Sequence, residues 1–266
     1  MDNTFDSMFY EEGEFIGGID ESGVSDIAGP LCAACVILPK IDLHRDDLRI
    51  FEVDDSKKIP ERYRKQHAEI VWQVALGIGI GEVYPSEIDY LGKLNAVKLA
   101  MLRAVAACTK PNKKPITPDF LLVDGEITLP TTIPHKLIRR ADEKSLAVAA
   151  ASIVSKVYRD EIMIKLHEKY PHYDWLNNKG YPCEKQFQGL DKVGMQIGIH
   201  RARYWPFVRS KKTAWETKEW SERRLKWKQI TEDRLIKELG QATKRELFSV
   251  SNSLKSPLET VLSAPY

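Results

Sequence analysis

No stretch of this sequence approaches the roughly 20 consecutive apolar residues that cross a bilayer. The acidic opening MDNTFDSMFYEEGE also lacks the basic start and apolar core of a secretory signal. Together these absences exclude a membrane span and lead us to expect a soluble, cytoplasmic protein. Cysteine is scarce: there are four in 266 residues, and only Cys32 and Cys35 lie close together. Their CxxC spacing falls in an apolar run that reads as a strand, where residues three apart point to opposite faces. Core packing is therefore expected there, rather than a redox or zinc motif. Histidine and cysteine clusters suited to zinc are missing, as are internal repeats and heptads. Net charge is almost absent too, at +2, yet it is unevenly spread. Ten Lys and Arg face only Glu216, Glu219 and Glu222 between Ile199 and Lys228, so the rest of the chain is acidic. An acidic body with one basic segment suits a metal-loaded site approached by a polyanion held elsewhere.

What is present is a chain with 43% hydrophobic residues, enough for a normal core in one large or two small domains. Its organising stretch runs from Phe15 to Pro39, FIGGIDESGVSDIAGPLCAACVILP. Two apolar runs, Phe15 to Ile19 and Leu31 to Leu38, flank a turn that carries Asp20, Glu21, Gly23, Gly29 and Pro30. Paired acids thus stand where a buried strand ends. Successive strand side chains face opposite ways, so Asp20 and Glu21 serve one site only if the strand bends or bulges at Glu21. Gly23 would permit that bend.

Farther along, Ile41 to Ile50 is polar, and Lys57 and Lys58 precede a helix expected from Pro60 to about Val74. Leu76 to Tyr84 alternates glycine with apolar residues and reads as a third strand packed closely on a neighbour. Pro85 to Cys108 reads as one helix. Phe120 to Val123 is a short strand ending in Asp124, which repeats the placement of Asp20. Ligands in such sheets gather beyond strand ends, and two strand-terminal acids point there more firmly than one. Asp142 takes the N-cap position of a helix expected to run to about Tyr170. Leu146, Ala149, Ala150, Ile153 and Val157 share one face of that helix, where alanines permit close packing on the sheet.

Asp20, Glu21, Asp124 and Asp142 supply the hard oxygen ligands that two divalent cations need for phosphodiester cleavage. Around them lie ordered blocks: IGGIDESG with AGP, DDSKK, LLVDG, ADEKSLAVAAASIVSKVYRD, NNKGY and HRARYWP. In this order, from Phe15 to Val208, the chain resembles the type 2 ribonucleases H, the ribonuclease HII family. The resemblance implies an α/β, RNase H-like fold, with a central mixed β-sheet flanked by helices and a helical carboxy-terminal extension. It implies an endonuclease that cuts the RNA strand of RNA/DNA hybrids, and ribonucleotides embedded in duplex DNA, leaving 3′-hydroxyl and 5′-phosphate ends. Two ions, Mg²⁺ or Mn²⁺, would be held by Asp20, Glu21, Asp124 and Asp142. Tyr181 matches the tyrosine that stacks on the sugar at the RNA-to-DNA junction. Ser152 and Lys156 match helix positions near the backbone phosphates, and Arg201, Arg203, Arg209, Lys211 and Lys212 would track the duplex.

Three departures bear on function. Gly23-Val24-Ser25 stands where the family has Gly-Arg-Gly, a loop whose backbone reads the 2′-hydroxyl, so weaker selectivity for single embedded ribonucleotides is expected. Pro182, Cys183 and Gln186 follow Tyr181 where the family tends to show Gly, Thr and His. Finally, Gln241 to Phe248, QATKRELF, departs from a sliding-clamp-binding peptide at Lys244, which occupies an aliphatic position. The domain expectation is a tail over 1–14, a catalytic domain over 15–210, a basic helical extension over 211–248 with Trp215, Trp220 and Trp227, and a mobile tail over 249–266. A monomer without membrane contact is expected. Two alternatives stay open: a non-catalytic hybrid-binding protein of the same fold, and a two-metal nuclease acting on DNA.

Overall fold

In a computed structural model of the chain, residues 4–40, 59–193, 195, 196 and 198–201 are described. The expectations for Ile41 to Ile50, Lys57, Lys58, Arg203, Arg209, Lys211, Lys212 and everything carboxy-terminal to them lie outside the described residues. The sheet has five strands: β1 (Ile16–Ser22), β2 (Leu31–Ile37), β3 (Gly77–Val83), β4 (Phe120–Asp124) and β5 (His135–Ile138), in the order β3-β2-β1-β4-β5. β1 runs antiparallel to β2 and parallel to β4, which is parallel to β5, so the sheet is mixed as expected. β2 is buried at every position, the signature of a strand covered on both faces.

Strand alternation assigns the helices to those faces. Ile78 and Ile80 of β3 join Ala34 and Val36 of β2 in a cluster with α2 (Glu61–Val74) and the long helix α5 (Leu146–Lys169). Between them, Gly79 and Gly81 face α4 (Lys93–Ala106) so closely that a Cβ would sit 2.1 Å from the Ala104 carbonyl oxygen and 2.0 Å from that of Ala100. The alternating glycines are thus what lets a helix lie directly on β3. β1 approaches α5 as tightly, because a Cβ on Gly18 would meet the backbone carbon of Ala147 at 2.2 Å. Cys32 and Cys35 are buried thiols, and Cys35 hydrogen-bonds Cys108 rather than pairing along its own strand.

Two elements differ from expectation. Pro85 to Cys108 is not one helix but α3 (Pro85–Leu91) and α4, broken at Gly92, whose φ of 78° lies in the left-handed region. Asp142 is not the cap of α5 either. It lies in a short 3-10 turn, Ala141–Glu143, and Ser145 caps the helix by accepting the Val148 N–H at 3.2 Å. The amino end of α5 has a second cap from far away in sequence. Asp6, buried in the short helix α1 (Thr4–Ser7), accepts the Ala147 N–H at 2.9 Å, while Phe9 stacks on Phe120.

The described residues form two compact units. One holds the residues up to Ser22, Cys32–Glu82 and Val97–Tyr158, and so most of the sheet. The other combines Gly23–Leu31, Val83–Ala96 and the residues from Arg159 onward. Its core is Ile27, Ala28, Met163, Tyr173, Trp175 and Leu190, joined by α6 (Trp175–Asn178) and α7 (Glu184–Val193). Arg159 is buried within it and holds the carbonyl oxygens of Pro30, Lys179 and Ala28 at 2.9, 2.9 and 3.1 Å. Among the described residues no helix is long and apolar enough to cross a membrane.

Candidate active site

The parallel ladder between β1 and β4 ends at the pair Ile19–Val123, and the next residue on each strand is an aspartate. Asp20 and Asp124 therefore finish adjacent strands as neighbours. Both take the face turned to α5, since Ile16 and Gly18 on β1, like Phe120 and Leu122 on β4, pack toward that helix. β1 continues past its parallel partner, and its antiparallel register with β2 runs unbroken through Glu21–Ala33 and Ser22–Cys32. No bulge interrupts that pairing at Glu21, and the Glu21 charge still acts on the Asp20 carboxyl, so the two acids lie within electrostatic reach of each other at the strand end without the bulge the sequence led us to expect. Hydrogen bonding to β2 keeps the strand extended until Gly23, whose φ of 85° ends it. Glu21 is half-buried at this free edge, beyond the last β4 pair.

Each acid is fixed by a particular donor. The Asp20 carboxylate accepts the Glu21 N–H at 2.8 Å and the Ser152 hydroxyl. Burial first, and the charges of Glu21 and Asp124 after it, push its pKa well above the usual carboxylate range against those two bonds. Asp124 accepts the Ala141 N–H through Oδ1 at 2.6 Å, which ties the end of β4 to the 3-10 turn. Asp142, the next residue in that turn, is buried at 3% exposure. The four acids thus lie on two strand ends and one rigid turn within a single compact unit. Among the described residues, no group of three or more His, Cys, Asp or Glu side chains is arranged to hold a metal ion. The donor set nonetheless fits a hard cation, being all carboxylate, partly desolvated and mutually repulsive at Asp20.

The remaining expected site residues separate. Ser152 is buried and serves Asp20, and the Ser22 hydroxyl donates to the Ser155 carbonyl at 3.0 Å, so α5 braces the acidic strand at two points. Lys156 is half-buried on the same helix. Gly23 cannot carry a side chain, because a Cβ there would lie 2.0 Å from Arg159 Nε. Val24 is half-buried and Ser25 exposed. Just beyond them Asp26 pairs with Arg159 at 2.6 Å. Tyr181 follows the Lys179-Gly180 turn and leaves 58% of its surface exposed. Arg201 corrects its expectation: it is fully buried, and its guanidinium donates to the Gly29 and Pro30 carbonyls at 3.0 and 3.1 Å. A side chain so enclosed does not reach a duplex phosphate.

Comparison with known proteins places this arrangement. The family model for Ribonuclease HII matches residues 17–206. The Ribonuclease HII of Caldanaerobacter subterraneus subsp. tengcongensis is 42% identical over 202 residues, covering 75% of this chain and 78% of the relative. In structure, the fold is similar to ribonuclease H2 from Pyrococcus horikoshii OT3, with a TM-score of 0.61 at 22% identity over 80% of this chain and 99% of that one. Bst-RNase HIII solved with Mn²⁺ is also similar, with a TM-score of 0.56 at 15% identity over 75% and 70% of the two chains. With acids at two strand ends, this fold and a family match over most of its length, the chain belongs to the ribonuclease HII family of type 2 ribonucleases H.

Proposed function

We propose that this protein is a divalent-metal-dependent endonuclease that cleaves the RNA strand of RNA/DNA hybrids and leaves 3′-hydroxyl and 5′-phosphate ends. The observation that carries this reading is the meeting of Asp20 and Asp124 at the ends of β1 and β4. Glu21 follows on the free edge, and Asp142 lies in the turn that grips Asp124. Asp20, Glu21, Asp124 and Asp142 would hold two Mg²⁺ or Mn²⁺ ions. When bound, such a pair activates a water and stabilises the leaving oxygen of a phosphodiester. A manganese-bound ribonuclease HIII of the same fold is in keeping with that requirement.

The protein's own groups do the positioning. The Ser152 hydroxyl and the Glu21 N–H fix one carboxylate, and the Ala141 N–H fixes another, so little reorganisation remains when a substrate phosphate arrives. Tyr181 offers an exposed ring on a fixed turn for stacking on the sugar at an RNA-to-DNA junction. The backbone of the Gly23-Val24-Ser25 loop, which follows Glu21 and Ser22 in the chain, would read the ribose, and Lys156, Lys211 and Lys212 would meet backbone phosphates. With Val24 and Ser25 in that loop, we assign weaker selectivity for a lone ribonucleotide than for continuous RNA. The decisive assay compares matched RNA/DNA, DNA/DNA and single-ribonucleotide duplexes in Mg²⁺ and in Mn²⁺. Cleavage of RNA/DNA is expected and DNA/DNA should stay intact. Cleavage of DNA/DNA, or of nothing in either metal, overturns the reading.

A further inference from the structure

Gln186 is completely buried at the start of α7, and its amide bridges two groups of opposite kind. Its Oε1 accepts the Trp175 Nε1–H at 2.6 Å, while its Nε2 donates to the Tyr181 carbonyl at 2.8 Å. The polarity is compelled, because an indole N–H only donates and a peptide carbonyl only accepts. Trp175 is itself fully buried, stacked on Tyr173 at 4.7 Å and packed against His200 at 5.3 Å between ring centroids.

The backbone on the other side of Tyr181 is held as firmly. Its N–H donates to Asn178 O at 2.8 Å, Gly180 O accepts from Ile27 N at 2.9 Å, and Lys179 O accepts from Arg159 Nη1 at 2.9 Å. Pro182 then fixes φ immediately afterwards. An aromatic ring that is 58% exposed thus stands on a main chain pinned before and after it, with freedom left only in its own side-chain torsions. Surface aromatics have no need of such a base unless their placement matters.

We propose that Gln186 is a positioning residue for Tyr181: by linking the Tyr181 carbonyl to the buried Trp175 indole, it fixes the height and tilt of the ring against the sugar at the RNA-to-DNA junction. This rests on the stacking role given to Tyr181 above. Few side chains can replace Gln186. An ionised Glu has no donor for the carbonyl, and an apolar residue strands both partners. A neutral imidazole has one donor and one acceptor, and burial keeps it neutral, as burial in the same cluster lowers the His200 pKa to about 3.

The test uses the full chain, with steady-state kinetics on a duplex carrying one ribonucleotide and on a continuous RNA/DNA hybrid. Gln186→Met should lower kcat/KM at the single ribonucleotide about tenfold, with a smaller effect on the continuous hybrid, where many phosphate contacts compensate. Gln186→His should restore junction cleavage to within about twofold of the parent. In a Tyr181→Ala background, Gln186→Met should lower the melting temperature but leave cleavage where Tyr181→Ala already put it. Parent-like junction cleavage by Gln186→Met, or an undiminished loss in the Tyr181→Ala background, overturns the proposal. If Gln186→Met does not fold, a tenfold loss in Gln186→His overturns it and near-parent activity upholds it. Parent-like junction cleavage by Tyr181→Ala instead overturns the stacking role itself, and the proposal with it.

Discussion

Asp20 is placed beside Asp124 by the parallel ladder alone, since Ile19 pairs with Val123 and one more residue on each strand brings two carboxylates together. Burial of Asp20 first, and the like charges of Glu21 and Asp124 after it, raise its proton affinity, and that cost is part of the free energy of the fold without metal. The same clustering that would draw a divalent ion therefore destabilises the empty site.

Asp124→Asn separates these two consequences. The amide oxygen can still accept the Ala141 N–H, so the 3-10 turn should survive. Cleavage should fall by on the order of a thousandfold or more, as for loss of a group essential to the chemistry. Without metal the variant should be as stable as the parent or more so, each pKa unit regained by Asp20 being worth about 1.4 kcal/mol. Stabilisation by added Mg²⁺ or Mn²⁺, which follows from binding to the folded state only, should shrink. Activity assays with thermal melts in chelator and in metal check this, and near-parent turnover would remove Asp124 from the site.

Arg201 and the lysine pair 211 and 212 should behave in opposite ways. Arg201→Met takes the guanidinium donor from the Gly29 carbonyl and one of two from the Pro30 carbonyl, which Arg159 still holds, and should lower stability by roughly 1–3 kcal/mol, with no change in how hybrid affinity depends on salt. Lys211→Glu with Lys212→Glu should leave stability alone and flatten the slope of log affinity against log salt by about one unit per lost phosphate contact. Anisotropy titrations at several salt concentrations, alongside denaturant melts, measure both. A flattened slope in Arg201→Met, or an unchanged one in the lysine variant, contradicts the assignment concerned.

The local signals were readable and the distant ones were not. Glycine alternating with apolar residues announced that β3 lies against a helix, and apolar runs ending in Asp20 and Asp124 announced strand ends. β5 escaped because His135–Ile138 is four residues long, only Ile138 is buried, and its place is set by pairing with β4 rather than by its own pattern. The helix over Pro85 to Cys108 looked continuous because apolar spacing bridges Gly92, whereas positive φ there breaks it. Asp142 looked like a cap because acid residues favour that position, yet Ser145 stood nearer the first helical turn. Arg201 looked like part of a basic face, since charge in a sequence does not say which guanidinium is enclosed by carbonyls. Nothing in the sequence links Asp6 to Ala147, 141 residues away.

Asp6 gives a prediction in which pH carries the sign. Asp6→Ala should cost about 1 kcal/mol, the usual value of a lost helix cap, because the Ala147 N–H loses its partner. Asp6→Asn keeps an acceptor without the buried charge. Burial raises the Asp6 pKa above 3.8 in the folded state, so the fold binds this proton more tightly than the unfolded chain does. Its stabilising contribution is then complete below about pH 3.8 and is lost as pH rises through the folded value. Relative to Asp6→Asn, the parent should gain stability between neutral pH and about pH 4. Denaturant melts at both pH values read this directly, and a parent that loses ground to Asp6→Asn on acidification would refute it.

In the function proposed above, the loop after the paired acids would set ribose selectivity, and its base and tip differ in what holds them. At the base, Gly23 has φ 85° and leaves no space for a Cβ beside Arg159, and Asp26 is ion-paired to the same guanidinium. That base should tolerate no change. At the tip, Val24 is half-buried and Ser25 exposed. Reading a 2′-hydroxyl needs closely approaching backbone groups, which glycine at 25 would allow and Ser25 restricts. Arginine at 24 would add a planar set of donors that Val24 lacks. Each such hydrogen bond is worth about 1–3 kcal/mol, so its absence costs roughly tenfold or more in discrimination, while long hybrids compensate through phosphate contacts. The parent should therefore cleave continuous RNA/DNA better than a single embedded ribonucleotide. Val24→Arg with Ser25→Gly should move the kcat/KM ratio toward the single ribonucleotide by about tenfold at unchanged melting temperature. Should the parent already cut single ribonucleotides as well as long hybrids, the tip is not the reader, and Tyr181 on its pinned turn is left to recognise the junction.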